Sequence, residues 1–587
     1  MLSADYKKIL EAYAQAANDF ARLHPKQVLL KKSFPISPQD IVKGYTLNNI
    51  LIGGAGLDLM ALSKNIMHEF THLTSTGSNT LAIAPSRTAD KKAWLLVNSH
   101  QPLAGEFAWY EAHINSEEGW NFIGGLFAGG ITGFVGCNPH LGWAHTTNYH
   151  QFGDIYKLQI SKNKKKYFYD NEWRKFGYDK ARLKVKIGIV KIPIGKKIPY
   201  CEYGPVFKTK YGFYALRYPA AMDIRAGEQW FRMNKARNLG EFEVAIKMQG
   251  LCLFNVNYAD TAGNIFFVSE GKIPLRDSAK NGEKLNWTKP INGISSAYKW
   301  TELLPYERKV RYLNPKAGFL YNCNGTPLKA TGYDENSKAD YIGIQTFDFN
   351  RNEYYGRVLN AKKGVFTWDE FLEIKYNTCY EKDGAYMRNF GVLFRLQPEK
   401  YPDIADAIRL LQQWDFCGQI DNRAASIAML TNDFIASNAK VSFSLLMIQK
   451  TPVSELQAVK AIAQAKKYLL KRYKTIDLPL GKLQRHARAD VSLPIDGLPE
   501  VSRAAEMYFD KKNKRYTMDK GDGYYQLAKF SAAGVELETI SPFGASLQPN
   551  SPHYTDQMQM FSQHKTKKMS FDKNTVLKNA VRIYSPR

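Results

Sequence analysis

The chain has 587 residues, and its 81 lysines and arginines outnumber 55 aspartates and glutamates, so the formal net charge is +26. Hydrophobic residues make up 44% and charged residues 23%, which is ordinary globular usage and excludes a disordered or fibrous chain. No uninterrupted apolar run approaches the roughly 18 residues of a membrane span, so we predict no membrane-spanning segment.

The first part of the chain is predicted to be helical. Ser3 can cap an amphipathic helix over residues 3–22, and Pro25 stops it. A second helical stretch is predicted over residues 57–72. From Ser78 onwards the pattern changes to that of strands. The strands predicted in this block cover residues 80–84, 93–98, 107–114, 154–160 and 183–194.

A hairpin and further helices follow. Strands over residues 252–258 and 265–269 flank a turn in which Gly263 supplies the positive φ. Thr367 and Glu370 form a capping box at the start of a helix. The amphipathic helices predicted after it cover residues 404–414 and 454–473. The whole pattern is α+β, with two blocks of strands and helices outside them.

The positive charge lies partly in short lysine runs in turn-like segments, at residues 162–166, 511–515 and 565–568. These runs come without an RNA-recognition, helix-turn-helix or zinc-finger signature, so they are interpreted as solvated loops and no nucleic-acid partner is predicted. The six cysteines are scattered without a CxxC pair, which excludes a zinc ribbon and leaves the redox compartment open. Residues 1–6 show no signal-peptide pattern.

His68, Glu69 and His72 match the H-E-x-x-H pattern of zinc peptidases. On a helix the two histidines share a face and could bind zinc, with the glutamate as general base. No third ligand stands out nearby, so a polar helix end is the alternative interpretation. A second set of histidines recurs every five residues, which suits neither a helix face nor a strand face and indicates strand-end residues rather than a metal site. This set comprises His140, His145 and His150.

The string Thr76-Gly77-Ser78-Asn79-Thr80 opens directly onto a predicted strand. It can be a plain helix-to-strand loop with a capping glycine. It can also be a self-cleavage point between Gly77 and Ser78 that exposes the serine as a new N-terminus. A serine hydroxyl is a weak nucleophile without a base, but a free α-amine with a pKa of about 7.7–8.0 can serve as that base.

The motifs that follow favour the second interpretation. They recur in order from this serine to the tail: Ser78-Asn79-Thr80, Ser86-Arg87-Thr88-Ala89-Asp90, Asn98-Ser99-His100, Trp109-Tyr110-Glu111-Ala112-His113, Gly136-Cys137-Asn138-Pro139, Gly142-Trp143-Ala144-His145-Thr146, Asn322-Cys323-Asn324, Tyr355-Gly356-Arg357 and Ser551-Pro552-His553-Tyr554-Thr555-Asp556-Gln557. In this order they resemble the penicillin acylase family of N-terminal-nucleophile (Ntn) hydrolases. That family includes penicillin, cephalosporin, acyl-homoserine-lactone and aculeacin acylases. The resemblance covers most of the chain.

The resemblance implies a role for five residues. Ser78 is the nucleophile, and its freed α-amine is the base. The backbone N–H of Thr147 and the side chain of Asn324 form the oxyanion hole, although Thr147 replaces the small apolar residue usual there. His100 stands where cephalosporin and acyl-homoserine-lactone acylases have histidine, and it is expected to orient Ser78 and its amine. Arg357 matches an arginine that supports the site electrostatically.

The resemblance also implies the organisation of the chain. Residues 1–77 form a partial α-subunit-like segment with its spacer, and residues 78–587 form a β-subunit-like catalytic segment that begins at the nucleophile. Family precursors carry a signal peptide and a longer α-segment, so this chain is expected to be short at its start. The implied fold is α+β, an Ntn-hydrolase αββα four-layer sandwich with additional helical segments.

The implied function is that of a self-processing amidohydrolase. It cuts itself into an α/β heterodimer and then cleaves small N-acyl amides of the acyl-homoserine-lactone or β-lactam type, in the periplasm or outside the cell. No cofactor or metal is predicted, because Asp154 aligns with an aspartate of the family's calcium site but its acidic companions are not evident. The alternatives are the H-E-x-x-H zinc peptidase and a non-catalytic or degenerate homologue that acts as a basic binding protein.

Overall fold

The computed structural model describes residues 1–64, 77–187, 190–280, 282–449 and 451–585. The α-helices within these ranges are α1 (Ala4–Leu23), α2 (Pro38–Ile52), α3 (Ala55–Lys64), α4 (Ala226–Lys235), α5 (Leu239–Ile246), α6 (Asn350–Ala361), α7 (Trp368–Tyr376), α8 (Ala385–Phe390), α9 (Ala405–Gln412), α10 (Ala424–Ala439), α11 (Phe443–Ile448), α12 (Glu455–Tyr473), α13 (Leu480–Leu483), α14 (Met558–Ser562) and α15 (Lys573–Lys578). The strands are β1 (Gly77–Ile83), β2 (Ala93–His100), β3 (Trp109–Ser116), β4 (Trp120–Phe127), β5 (Val135–Cys137), β6 (Leu141–Thr146), β7 (Asp154–Leu158), β8 (Lys166–Tyr169), β9 (Glu172–Lys175), β10 (Gly177–Ile187), β11 (Val190–Cys201), β12 (Gly204–Thr209), β13 (Gly212–Arg217), β14 (Asn255–Asp260), β15 (Ile265–Ser269), β16 (Ala279–Lys280), β17 (Glu283–Lys284), β18 (Ile291–Asn292), β19 (Arg311–Leu313), β20 (Phe319–Asn322), β21 (Gln484–Arg488), β22 (Val491–Pro494), β23 (Ala505–Asp510), β24 (Arg515–Ser531), β25 (Gly534–Ile540) and β26 (Lys567–Met569).

Two mainly antiparallel sheets share one apolar core. The first sheet has the strand order β20-β1-β2-β24-β21-β22, with β23 and β25 also paired to β24 and with β26 paired to β25. The second sheet has the order β19-β15-β14-β6-β5-β4-β3. Ala82, Leu95 and Val97 of the first sheet belong to one buried cluster with Ala144 and Phe267 of the second. The two sheets therefore pack face to face and exclude water from the faces they share.

Helices cover the outer face of each sheet. Leu10 of α1 and Trp230 of α4 belong to a buried cluster with Trp143 of the second sheet. Leu359 of α6 and Phe371 of α7 belong to another cluster on the first sheet. Because both faces of the central strands are covered, every residue of β1 is buried. These layers confirm the αββα sandwich.

Elements outside the sandwich are also well defined. A third sheet has the order β10-β11-β12-β13-β7-β18. Helices α8 to α12 contribute to a separate apolar core, which supplies the additional helical segments that were predicted. In the described part of the chain, no helix combines the length and apolar character needed to cross a membrane.

The local predictions are mostly confirmed. The Ser3 side chain caps α1, both bonds of the Thr367 capping box are present, and Gly263 has φ +89° in the β14–β15 hairpin. The single strand predicted over residues 183–194 is wrong, because residues 183–187 belong to β10 and residues 190–194 belong to β11, and these two strands pair antiparallel. The alternation of apolar and polar residues fits each strand of a hairpin equally well, so this period alone does not reveal where the chain reverses direction. The predicted helix over residues 57–72 corresponds to α3, and residues 65–72 lie outside the described residues.

Cys379 and Cys417 form a disulfide that the spacing of the cysteines did not reveal. The bond joins positions 38 residues apart in the helical unit. Cys137, Cys201, Cys252 and Cys323 are free.

Removing this disulfide is expected to lower the free energy of unfolding by about 2–4 kcal/mol, because the bond closes a long loop and restricts the unfolded chain. Chemical denaturation of the Cys379→Ser, Cys417→Ser double variant measures this, with Cys201→Ser as the matched control at a free thiol. The denatured, unreduced chain is expected to show four reactive thiols and the reduced chain six. Six thiols without reduction would contradict the pairing.

Candidate active site

Ser78 lies at the start of the buried strand β1. In the β1–β2 ladder Gly77 pairs with His100 and Ser78 pairs with Ser99. On its other side β1 pairs with β20, which leads directly into Asn324. The two ladders therefore hold Ser78 between His100 and the Asn324 loop. The Ser78 side chain is nearly inaccessible, and its hydroxyl contacts the carbonyl oxygen of Gly77.

Asn324 links Ser78 to Thr147. Its Oδ1 accepts a hydrogen bond from the Ser78 backbone N–H at 2.7 Å, and its Nδ2 donates to the Thr147 carbonyl at 2.8 Å. The backbone of Asn324 has φ +65°, in the left-handed region that asparagine tolerates better than most residues. Gln345 Nε2 donates to the Asn324 carbonyl at 2.7 Å and holds this conformation. Three of the residues named from the sequence are thus in contact.

Arg351, near the start of α6, is a buried cation beside Ser78. Its Nη1 lies 3.1 Å from the Ser78 carbonyl oxygen and 3.0 Å from Asn79 Oδ1. Its Nε donates to Glu500 at 3.1 Å, and although burial opposes the charge, the Glu500 carboxylate raises the pKa of Arg351. A Cβ atom on Gly77 would lie 2.8 Å from Arg351 Nη2, so glycine is the residue that leaves room for the guanidinium.

His100 is turned toward charged groups behind Ser78. Its Nδ1 lies 3.1 Å from Arg351 Nη1, and its Nε2 lies 3.0 Å from Asp522 Oδ1. Burial lowers the pKa of His100 to about 4, although the hydrogen bond with Asp522 opposes this shift. The neutral ring therefore donates from Nε2 to Asp522 and accepts from Arg351 at Nδ1. Within the described ranges no hydrogen bond joins the ring to Ser78, so His100 reaches Ser78 through Arg351.

Asp522 anchors this arrangement. Its Oδ2 accepts hydrogen bonds from Lys375 at 2.7 Å and from Arg503 at 2.8 Å. Burial alone would raise the pKa of Asp522, but Lys375, the His100 hydrogen bond and Arg503 hold it well below its ordinary value. The permanent charge of Asp522 fixes which nitrogen of His100 carries the proton.

The lowered pKa of His100 predicts a pH-dependent stability. The unfolded chain takes up a proton on His100 below about pH 6.5, whereas the folded chain does so only near pH 4, so the free energy of unfolding falls as the pH drops through this window. Between pH 7 and pH 5 the wild type is expected to lose about 2 kcal/mol more than His100→Gln does. Denaturant titrations of both proteins at each pH measure the difference. Equal losses would contradict the prediction.

Arg357 does not join this cluster, so its assigned role is not supported by the geometry. Its side chain is 57% exposed and forms an ion pair with Glu381. Arg351 and Arg357 lie six positions apart on α6, and at 100° per residue this spacing turns their side chains to different sides of the helix. The guanidinium that contacts Ser78 belongs to Arg351.

Ser78 opens onto a cavity of about 600 Å³. Ser99 and Thr147 line this cavity together with Ser78, and further polar lining residues are Asp40, Asn49, Gln101 and Glu106. The rest of the wall is mainly apolar and aromatic and comes from α1, α2 and the second sheet. Its members include Tyr13, Tyr45, Ile52, Phe107, Phe134 and Phe254. The cavity is suited to an apolar group attached to a carbonyl that reaches Ser78.

The sequence-predicted histidines that lie within the described residues form no metal centre there. His68, Glu69 and His72 lie outside the described residues. His145 Nε2 accepts a hydrogen bond from Trp230, and His150 contacts Ser269. The described ranges contain no group of three or more histidine, cysteine, aspartate or glutamate residues that could hold a metal ion.

Asp154 has no free carboxylate oxygen for a cation. Arg276 Nε lies 3.0 Å from its Oδ2, Trp300 Nε1 donates to the same oxygen at 2.7 Å, and Gln151 Nε2 donates to Oδ1 at 2.8 Å. The Arg276 guanidinium already supplies the positive charge beside this carboxylate. These residues therefore do not fit a calcium ion.

Known proteins share this sequence pattern and architecture. The sequence model described as penicillin amidase matches residues 1–578. The chain is 21% identical over 559 residues to the acyl-homoserine lactone acylase PvdQ of Pseudomonas syringae pv. syringae, over 85% of this chain and 69% of that protein. It is 27% identical over 261 residues to the penicillin G acylase of Escherichia coli, over 43% of this chain and 29% of that protein. The solved structure of a thermostable penicillin G acylase from Alcaligenes faecalis aligns with a TM-score of 0.61 at 18% identity, over 86% of this chain and 99% of that one.

Proposed function

The chain belongs to the penicillin amidase family of amide hydrolases, and from this premise we propose that it is a self-processing acylase with Ser78 as its N-terminal nucleophile. The contact of Ser78 with Asn324, which also holds Thr147, carries the proposal. This contact brings the proposed nucleophile and the proposed side-chain donor of the oxyanion hole together beside a mainly apolar cavity that Ser78 and Thr147 line.

Self-processing uses the same groups on the chain's own peptide bond. Ser78 Oγ attacks the carbonyl carbon of Gly77, the acyl group moves from nitrogen to oxygen, and water hydrolyses the ester. The products are a segment that ends at Gly77 and a segment, residues 78–587, that begins with a free α-amine. The contact between the Ser78 hydroxyl and the Gly77 carbonyl supports this step.

In turnover the free α-amine of Ser78 takes the proton from Oγ as Oγ attacks the substrate carbonyl. The Thr147 N–H and Asn324 Nδ2 stabilise the oxyanion, and each such donor is typically worth about 3–4 kcal/mol. The protonated amine then gives its proton to the leaving amine, and water releases the acid from the acyl-enzyme. The charge of Arg351 beside the Ser78 carbonyl disfavours an ammonium there, which favours the basic form of the amine.

The cavity supports a substrate with an apolar acyl chain. Its wall is mainly apolar and aromatic and gains from burying a hydrocarbon group, although Asp40, Glu106 and His145 also line it. We include acyl-homoserine lactones and β-lactams among the candidate substrates, because the relatives named above act on one or the other. The Cys379–Cys417 disulfide supports an oxidising compartment, such as the periplasm or the extracellular space.

The mass of the purified full chain tests the proposal. The wild type is expected to separate into a segment of residues 78–587 and a segment ending at or before Gly77, whereas Ser78→Ala stays in one piece. The split enzyme, but not Ser78→Ala, is expected to release amine from acyl-homoserine lactones or penicillin G. A wild type that never splits would support a non-catalytic homologue. Activity that survives in Ser78→Ala and is lost with a chelator would support the zinc peptidase instead.

A further inference from the structure

A second cavity of about 800 Å³ lies apart from the one that Ser78 lines. The two cavities are lined by neighbouring parts of the chain, since Ile52 faces the first and Gly53 faces the second. Similarly, Thr147 lines the first and Tyr149 lines the second. Ser78 itself does not line the second cavity, and the proposed catalytic cycle leaves it without a role.

Asp58 of α3 is the distinctive group in the wall of this cavity. Its side chain is nine-tenths buried, with 9% of the residue exposed. Its carboxylate forms no hydrogen bond or ion pair with any residue in the described part of the chain. Transfer of a carboxylate out of water is costly unless a cation or hydrogen-bond donors compensate it. The cavity leaves room for a ligand that supplies such a group.

Asp58 places a negative charge in the interior end of the cavity, and no cation lies beside it among the described residues. Asp154 and the Tyr218 hydroxyl face Asp58 from the neighbouring elements, and the charge of Asp154 is already matched by Arg276. Burial and the nearby Asp154 carboxylate raise the pKa of Asp58 to about 7. An ammonium beside Asp58 would therefore favour its ionised form.

The surface end of the cavity carries positive charge, and part of its wall is apolar. Lys284 and Lys289 line the cavity and are exposed to solvent. Trp287, Phe347 and Ile344 supply apolar wall. A ligand that complements all three features carries an ammonium at one end, a carboxylate near the lysines and an apolar part between the walls. The volume falls in the range of ordinary small-molecule sites.

We propose that this cavity binds a small zwitterion of the α-amino-acid class, with its ammonium paired to Asp58 and its carboxylate near Lys284 and Lys289. This site is separate from the nucleophile, so binding is expected to persist when Ser78 is replaced. Gln345 and Tyr149 line the cavity, and Gln345 also donates to the Asn324 carbonyl, so a bound ligand lies next to the support of the oxyanion hole.

Calorimetric titration of the full Ser78→Ala chain tests the proposal without turnover. The probes are L-leucine, leucine amide, which keeps the ammonium alone, and 4-methylpentanoate, which keeps the carboxylate alone. L-leucine is expected to bind saturably, and leucine amide is expected to bind more weakly. Any binding of 4-methylpentanoate is expected not to depend on Asp58. Adding Asp58→Asn is expected to weaken binding of L-leucine and its amide at least tenfold. The matched control is Asp277→Asn, an exposed carboxylate outside the cavity, which should leave binding unchanged.

A second variant keeps the proposal testable if Asp58→Asn does not fold. Thr288→Trp narrows the cavity at an exposed residue without removing a buried charge, and it is also expected to weaken L-leucine binding at least tenfold. Thermal unfolding checks that each variant is folded. The proposal is overturned if L-leucine does not bind, if folded Asp58→Asn and Thr288→Trp bind it as tightly as the parent chain, or if the acid binds with the same dependence on Asp58.

Discussion

Replacing Asn324 by alanine or by glycine is expected to lower kcat about 100- to 1000-fold, because either change removes a side-chain donor of the proposed oxyanion hole. The two variants separate chemistry from backbone conformation. Asn324 has φ +65°, which glycine adopts freely and alanine adopts at a cost of about 1–2 kcal/mol. Both are expected to lose the same activity, while Asn324→Ala alone loses additional stability.

Steady-state kinetics and denaturant unfolding measure these two effects. Because Asn324 also holds the Ser78 N–H, kinetics should be run only on protein that intact mass shows to be split. If Asn324→Gly kept near wild-type kcat, the side chain would have no part in stabilising the oxyanion. If activity followed stability instead, the role of Asn324 would be structural.

Arg351→Lys is expected to lower kcat about 100-fold with little change in KM, whereas Arg357→Lys changes kcat less than twofold. Lysine keeps the charge but cannot span Ser78, Asn79, His100 and Glu500 from one planar group, and a small misplacement of a nucleophile is costly. The ion pair between Arg357 and Glu381 is exposed, and exposed ion pairs contribute little to the stability of the fold.

The two arginines form a matched comparison because they lie on the same helix and undergo the same substitution. Separate measurement of kcat and KM distinguishes positioning of Ser78 from general damage to the substrate pocket. Equal losses in the two variants would indicate a general charge effect. A larger loss in Arg357→Lys would restore the role that the sequence pattern assigned to it.

The parts of the site that are local in sequence could be predicted. Ser78 begins a strand after a glycine, and Asn324 ends a short motif, so ordered motifs were enough to identify both. Arg351 was missed because Arg357 stands in the recognisable motif, and only the docking of α6 decides which arginine points inward. The sequence signal for Arg351 is weak, because Asn350-Arg351-Asn352 is only a short run of polar residues. The structure is needed to show that this run is buried at the start of α6.

The other features that the sequence did not reveal are contacts between residues far apart in the chain. Asp522 meets His100 across a shift in the β2–β24 register, and the sequence does not indicate such a bulge. The Cys379–Cys417 bond joins positions 38 residues apart with no spacing motif between them. The sheets themselves were easier to predict, because alternation and turn residues carry information within a few positions.

The burial of Gly77 and Ser78 bears on the proposed self-processing of the chain. A foreign protease needs an accessible, extended segment, and this peptide bond is buried, with β2 paired to it on one side and Asn324 and Arg351 beside it. Under the proposed mechanism, the bond can be cut only after β2, β20 and α6 have assembled around it. The cut therefore marks completed folding, and the ratio of split to unsplit chain measures how much of a preparation has reached the native state.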